Sequence, residues 1–231
     1  MSAPVDIAVD AMILAAGRGE RMRPLTDTLP KPLVPVRGAP LIEHHIQKLV
    51  AIGVRRIVIN VSYHADALMR ALGDGARFGC ELLYSVEQDA LESGGGVATA
   101  SKHFRHGAII LISADIFSSF DYARLLLVAS EIREGRRDAH FVMVPPTEGE
   151  PGGEFALDDR GRIHAGEPRL TLANIAVLAS ARCQSWPRGE RFKLLPHYQS
   201  WVAAGRVSGE CFHGVWCNVT RVEDVTRLNA L

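Results

Sequence analysis

The chain has 231 residues, 47% of them hydrophobic and 23% charged, the proportions of a soluble globular protein large enough for one α/β domain with a substantial core. Lys+Arg and Asp+Glu balance at 26 each, so nothing global favours nucleic acid or a membrane surface, and any anion site must be local. The longest apolar runs fall far short of a membrane span, and neither a 20–50-residue repeat nor a low-complexity tract is present.

Residues 1–10, MSAPVDIAVD, lack a basic stretch followed by a long apolar one, so a loose leader is expected there rather than a secretion signal. AMILAA (11–16) is a continuous apolar run, as a parallel strand covered on both faces requires. Pro40 opens a predicted helix to Gly53, with Leu41, Ile42, His45, Ile46, Leu49 and Val50 along one side. In that pattern His44 and His45 read as surface and flank positions. Strands are predicted at 55–61, 81–87, 108–115 and 140–145. Helices are predicted at 65–72, 95–104 and 122–134; Gly73-Asp74-Gly75 ends the first and Asp121 caps the last.

After Pro145 the texture changes. Residues 154–163 read as a hairpin turning at Asp-Asp-Arg-Gly. A strand at 171–178, a helix at 192–204 ended by Gly205, a strand at 214–219 and a helix at 222–231 follow. The expected fold is α/β: a doubly wound, mostly parallel sheet over 11–145 with a mixed C-terminal half over 146–231. No linker separates the halves, which predicts one domain over 1–231. Cys80, Cys183, Cys211 and Cys217 form no C-x-x-C pair and the nine histidines no H-E-x-x-H; reduced thiols in a cytoplasmic protein are expected.

The stretch AMILAAGRGERMRPLTDTLPKPLVPV (11–36) carries the chemistry. Glycines and arginines after a buried strand point to phosphate. The dinucleotide fingerprint needs a third glycine for tight helix–strand packing, and Met22 stands in its place. The ATPase pattern G-x-x-x-x-G-K-[ST] is absent. Both of those loops run directly into a helix, whereas Pro24, Pro30, Pro32 and Pro35 forbid one here. An extended loop across the C-terminal edge of the sheet follows, where open α/β folds bind ligands. Gly17 and Gly19 let backbone N–H groups approach anionic oxygens. Arg21 and Lys31 stand as cations at opposite ends of the loop, suited to the charge that builds on a triphosphate attacked at phosphorus. Arg18 and Arg23 read equally well as solvated surface charges.

The string L-A-A-G-x-G-x-R-M-x-P-L-T-x-x-x-P-K-P resembles the signature loop of the sugar-1-phosphate nucleotidyltransferases, the nucleotide-sugar pyrophosphorylases. Further marks extend the likeness along the chain: LESGGG (91–96), SAD (113–115), GEP (166–168) and NIAV (174–177). FKLLPHYQSWVAAGRVSGE (192–210) is most similar to the bacterial branch that makes UDP-N-acetylmuramic acid in cell-wall recycling. The resemblance implies a Rossmann-like nucleotidyltransferase fold in which a sugar 1-phosphate oxygen attacks the α-phosphorus of a nucleoside triphosphate and pyrophosphate leaves.

By that likeness Leu14, Ala15, Ala16 and Gly17 present backbone to the base and ribose. Gly19, Glu20 and Arg21 meet the triphosphate, and Lys31 bridges its phosphates. Glu87, Gly94 and Gly95 belong to base choice and nucleotide binding. Asp115 ligates Mg²⁺ and is catalytic with Arg21 and Lys31. Ser113, Gly153, Glu167 and Asn174 meet the sugar; Lys193, or Arg169, replaces the lysine that relatives carry after the glutamate at 167. Two departures stand out. Ser113-Ala114-Asp115 occupies the place of Asn-Gly-Asp, and VWCNVT (215–220) puts Asn218 where a second metal carboxylate is expected. An amide oxygen can ligate Mg²⁺ but brings no negative charge, so weaker metal binding is expected.

The implied activity is Mg²⁺-dependent uridylyl transfer from UTP to an amino-sugar 1-phosphate, N-acetylmuramate 1-phosphate. The alternatives are a sibling enzyme using another triphosphate, phosphosugar or phosphocholine, and a nucleotide-binding module with little turnover. The expected partners are the nucleoside triphosphate and the sugar 1-phosphate, with no nucleic acid and no membrane. Without a hexapeptide-repeat domain, a monomer or small homo-oligomer is expected.

Overall fold

A computed structural model of the chain describes residues 7–146 and 152–231. Most of the expected leader (1–6) lies outside them, and Asp10 already belongs to the first strand. In chain order, β1 (Asp10–Leu14) runs into a loop of three 3-10 turns. A small hairpin, β2 (Pro35–Val36) and β3 (Ala39–Pro40), then leads to α1 (Leu41–Ala51). Next come β4 (Arg56–Val61), α2 (Ala65–Leu72), β5 (Glu81–Val86), α3 (Glu92–Ala100), β6 (Ala108–Ser113), β7 (Ile116–Ser118), α4 (Arg124–Arg133) and β8 (Ala139–Val144). The rest comprises β9 (Ala156–Leu157), β10 (Ile163–His164), β11 (Thr171–Ala179), α5 (Ser180–Gln184), α6 (Leu195–Ala203), β12 (Val207–Cys211), β13 (Trp216–Asn218) and α7 (Val222–Asn229).

Among the described residues, seven strands make one sheet in the order β12-β8-β11-β6-β1-β4-β5. β1 pairs in parallel with β4 and β6, β4 with β5, and β8 with β12. Only β11 runs against its neighbours, pairing antiparallel with β6 and β8. Strands from both halves of the sequence therefore interleave. The period-2 alternation of side chains splits the core in two. Ala11, Ile13, Ile110 and Ile112 pack on one face with Ile42, Ile46 and Leu49 of α1. Met12, Ile109 and Leu111 pack on the other with Val97 of α3 and Tyr198 and Trp201 of α6. A third, smaller cluster joins Met22, Val34 and Val36 of the first-strand loop to Leu41, Cys217, Val219 and Leu228.

Several elements differ from expectation. α3 begins at Glu92, three residues before the predicted start at Gly95, so the whole glycine triplet is helical. Tertiary contact overrides its poor propensity: a Cβ on Gly95 would stand 2.9 Å from Leu91 Cβ, and the N–H groups of Gly94 and Gly95 both donate to Phe192 O, at 2.9 and 3.1 Å. The same contacts keep 192–194 out of α6, which starts three residues later than predicted. β7, α5 and β12 are additional elements. His45 is not a flank position but core, 1% exposed. Its Nε2 lies 2.8 Å from Ile116 O and its Nδ1 2.8 Å from Tyr122 Oη. A carbonyl only accepts, so Nε2 carries the proton and the tyrosine hydroxyl donates to Nδ1.

Candidate active site

The C-terminal ends of β1, β4, β5 and β6 point to one edge of the sheet, and a cleft of about 750 Å³ opens there. Its walls include Leu14, Ala15, Ala16, Gly17, Gly19, Glu20, Arg21, Lys31, Ser113 and Asp115, ten of the residues singled out in the sequence. Gly19 has φ 67°, and a Cβ there would meet Lys31 Cβ and Thr26 Cγ2 at 3.0 Å. The glycine is required both by its left-handed backbone and by how closely the loop folds on itself. Gly17 has nothing within 4 Å of that position, so space for a ligand begins at its backbone. Arg21 is exposed on the cleft wall, while its neighbour Met22 is buried in the third cluster. That alternation aims the arginine by anchoring the methionine.

Lys31 is the buried cation of the site. Its Nζ donates to Asp115 Oδ2 at 2.7 Å, with the lysine side chain 9% exposed and the aspartate 37%. Asp115 follows β6, and its carbonyl accepts the N–H of Val219 at 2.9 Å. That bond ties the end of β6 to β13, whose Asn218 pairs with Ile116. Asn218 Oδ1 is buried with no hydrogen-bond partner. A buried orphaned amide oxygen one pairing step from a partly exposed carboxylate suits a hard cation that also takes phosphate oxygens. Among the described residues no three His, Cys, Asp or Glu side chains gather to hold a metal, so a coordination shell here needs oxygens beyond such side chains, as Mg²⁺ usually takes from water and phosphate.

A second hollow of about 160 Å³ adjoins the cleft, sharing Leu14, Ser93 and Ser113, and is walled by Asn174, Phe141, Leu194 and Tyr198. Asn174 sits at the irregularity where the β11–β8 register shifts between Leu172 and Ala176, with φ 58°. Glu92 of the cleft wall has φ 62°. Non-glycine residues in this region cluster where a protein grips a ligand.

The remaining expected residues stand elsewhere. Glu87 is 4% exposed and behind the wall, where burial pushes its carboxyl up from the usual range against hydrogen bonds from Leu91 and Asn60. Gly94 and Gly95 pack against 190–192. A Cβ on Gly153 would meet Leu170 O at 2.5 Å, so this glycine serves close packing against the start of β11. Glu167 is exposed and pairs with Arg169 at 3.0 Å, and Lys193 is exposed outside the cleft. Asn60, Ser93 and Thr220 line the cleft without having been singled out. Asn60 carried a signal: it is the one polar residue inside the apolar run IVINV (57–61).

A mostly parallel sheet whose carboxyl edge carries a glycine–arginine–lysine loop facing an aspartate defines a nucleotide-binding enzyme built for transfer at phosphorus. The nucleotidyl transferase family profile matches residues 10–165. An N-acetylmuramate alpha-1-phosphate uridylyltransferase of Neisseria meningitidis is 35% identical over 226 residues, covering 96% of this chain and 97% of its own. A protein of the same name from Caulobacter vibrioides is 34% identical, covering 90% of each chain. In fold, a candidate glucose-1-phosphate thymidylyltransferase from Bacillus anthracis, solved with sucrose, superposes with TM-score 0.84 at 20% identity over 96% of this chain and 94% of that one. The chain belongs to the nucleotidyl transferase family, as a sugar-1-phosphate nucleotidyltransferase.

Proposed function

We propose that the protein transfers a uridylyl group from UTP to N-acetylmuramate 1-phosphate, giving the UDP-sugar and pyrophosphate, as a Mg²⁺-dependent step of cell-wall sugar recycling in the cytoplasm. The observation that carries this reading is the Lys31–Asp115 pair in the cleft beside Arg21 and Gly17. The choice of substrates rests on the two uridylyltransferases that match this chain nearly end to end. The chain acts as one unit, residues 11–145 serving the nucleotide and 146–231 the sugar phosphate, in a monomer or small homo-oligomer.

The chemistry needs positioning and charge neutralisation rather than a covalent intermediate. A sugar phosphate oxygen forms a bond to the α-phosphorus as the bond to the bridging oxygen breaks, and pyrophosphate carries the electron pair away. Backbone at 14–17 receives base and ribose. Glu20 and the N–H of Gly19 border the phosphates. Arg21 faces the leaving pyrophosphate, and Lys31 bridges phosphate oxygens, its position fixed by Asp115 and by the close contact with Gly19. Ser113 reaches the sugar from the junction of cleft and hollow, and Asn174 from the hollow. Members of the family generally use a divalent metal; Asp115 and Asn218 would hold it here, and bound there it would neutralise charge on the phosphates.

The orphaned Asn218 oxygen favours one second reading, a transferase weakened at its metal site. Incubation with UTP, N-acetylmuramate 1-phosphate and Mg²⁺, followed by mass analysis, tests the proposal. UDP-N-acetylmuramic acid and stoichiometric pyrophosphate are expected. Nucleotide binding with no product supports the weakened enzyme, and product only from another triphosphate or another 1-phosphate sinks the substrate assignment.

A further inference from the structure

The family likeness gives Glu87 to base recognition, but both of its carboxylate oxygens are already engaged. Oε1 accepts a hydrogen bond from Asn60 Nδ2 at 2.7 Å and Oε2 accepts one from the Leu91 N–H at 2.9 Å. Asn60 is 3% exposed, and its Oδ1 accepts the Ala15 N–H at 3.0 Å. Two buried side chains thus join the backbone of the first-strand loop, the end of β4 and the entry to α3. Ala15 lines the cleft, and so do Ala90, Glu92 and Ser93 around the α3 entry. The third glycine of the triplet makes room for this relay: a Cβ on Gly96 would stand 2.7 Å from Asn60 Nδ2 and 2.9 Å from Glu87 Oε1.

We propose that Asn60 and Glu87 are positioning residues, a buried relay that fixes the spacing between the backbone at 15–17 and at 91–93 so that these two segments meet the nucleobase, with the Glu87 carboxylate never touching it. The inference rests on the reading that the nucleotide occupies this cleft. Charge-assisted hydrogen bonds in a water-excluded site hold geometry more tightly than loop packing alone. What the relay needs is its polarity. The fixed donors at its ends, Ala15 N–H and Leu91 N–H, require an acceptor at each end, and one donor must sit between the two side chains. Asn60→Asp sets two carboxylates face to face. Glu87→Gln leaves two N–H groups opposed whichever way the amides are turned. The double change Asn60→Asp with Glu87→Gln restores every bond with the polarity reversed. The carboxylate introduced at position 60 accepts from Ala15 and from the amide introduced at position 87, and the oxygen of that amide accepts from Leu91.

The test is this two-residue cycle, run with whichever triphosphate the wild type uses. Each single change is expected to raise KM for the triphosphate about ten-fold, the size of one lost charge-assisted hydrogen bond, with a smaller effect on kcat. The double variant should return to within about three-fold of wild type. A double variant as impaired as the worse single one, or unable to fold, overturns the relay. So does a Glu87→Gln enzyme whose ranking of bases changes and is not restored by the second change, since Glu87 would then read the base directly. If the wild type uses no triphosphate, the functional reading has failed separately. Amide hydrogen exchange at Ala15 and Leu91 then decides: protection in wild type and double variant, lost in both singles, upholds the relay, and equal exchange in all four refutes it.

Discussion

At the residue scale, Asn218 stands where the family likeness puts a second metal carboxylate. Its Oδ1 is buried and without a partner, and its backbone pairs with Ile116, the residue after Asp115. Restoring a formal charge with Asn218→Asp should lower the Mg²⁺ concentration for half-maximal rate by about ten-fold, since a hard cation binds a carboxylate better than an amide. A Mg²⁺ titration of the two proteins checks it, and unchanged dependence removes Asn218 from the metal shell. His45 gives a residue-scale prediction about pH. Burial, opposed by the hydrogen bond to Ile116, brings its pKa down to about 4. Between pH 6.5 and 4 the unfolded chain binds a proton that the folded chain refuses, so stability must fall as pH drops through that window, by on the order of 3 kcal/mol from this residue. Urea midpoints at pH 7 and 5 should draw together in His45→Gln, which starts less stable at pH 7 but loses less. Parallel losses in both proteins would exclude His45 as the source. The sequence hid this residue because a histidine at a helical i, i+4 position gives no sign that Tyr122 and Ile116, more than 70 residues away, complete its bonds.

At the scale of elements, the loop after β1 is held from below by the end of the chain. Met22, Val34 and Val36 share a cluster with Val219 and with Leu228 of α7. Leu228 is 2% exposed, so Leu228→Ala should cost about 2–3 kcal/mol. Because that cavity lies under the loop that carries Arg21 and Lys31, KM for the triphosphate should also rise several-fold. A thermal melt with steady-state kinetics checks both, and lost stability with unchanged KM would mean that the loop is held by other contacts. Long periodic elements such as α1, β1 and β6 were legible because their apolar pattern alone decides their burial. α3 was legible only in part, since three glycines in a helix make sense only once Phe192 and the Asn60–Glu87 pair are in place. β12 was not legible: VSGEC has no alternation, and its parallel pairing with β8 is set by partners distant in sequence.

For the whole molecule, the sheet order brings the loop after β1, the residue after β6 and the register shift of β11 to one edge, so a cleft and an adjoining hollow arise where strand ends meet. Eight residues of the cleft wall, at 14–17, 19–21 and 31, could be read from one unbroken string of residues. The residues expected to meet the sugar do not form such a string: Gly153 packs against Leu170 and Glu167 pairs with Arg169, while Asn174 reaches the hollow through a backbone irregularity that no local pattern announces. The central claim, that this edge joins UTP to N-acetylmuramate 1-phosphate, is tested most directly by pyrophosphate release measured for UTP, CTP, GTP, ATP and dTTP with that sugar phosphate at saturating Mg²⁺. The account predicts that kcat/KM for UTP exceeds every other by about a hundred-fold, roughly the discrimination that one or two well-held polar contacts provide. A different triphosphate turning over as well as or better than UTP would contradict it.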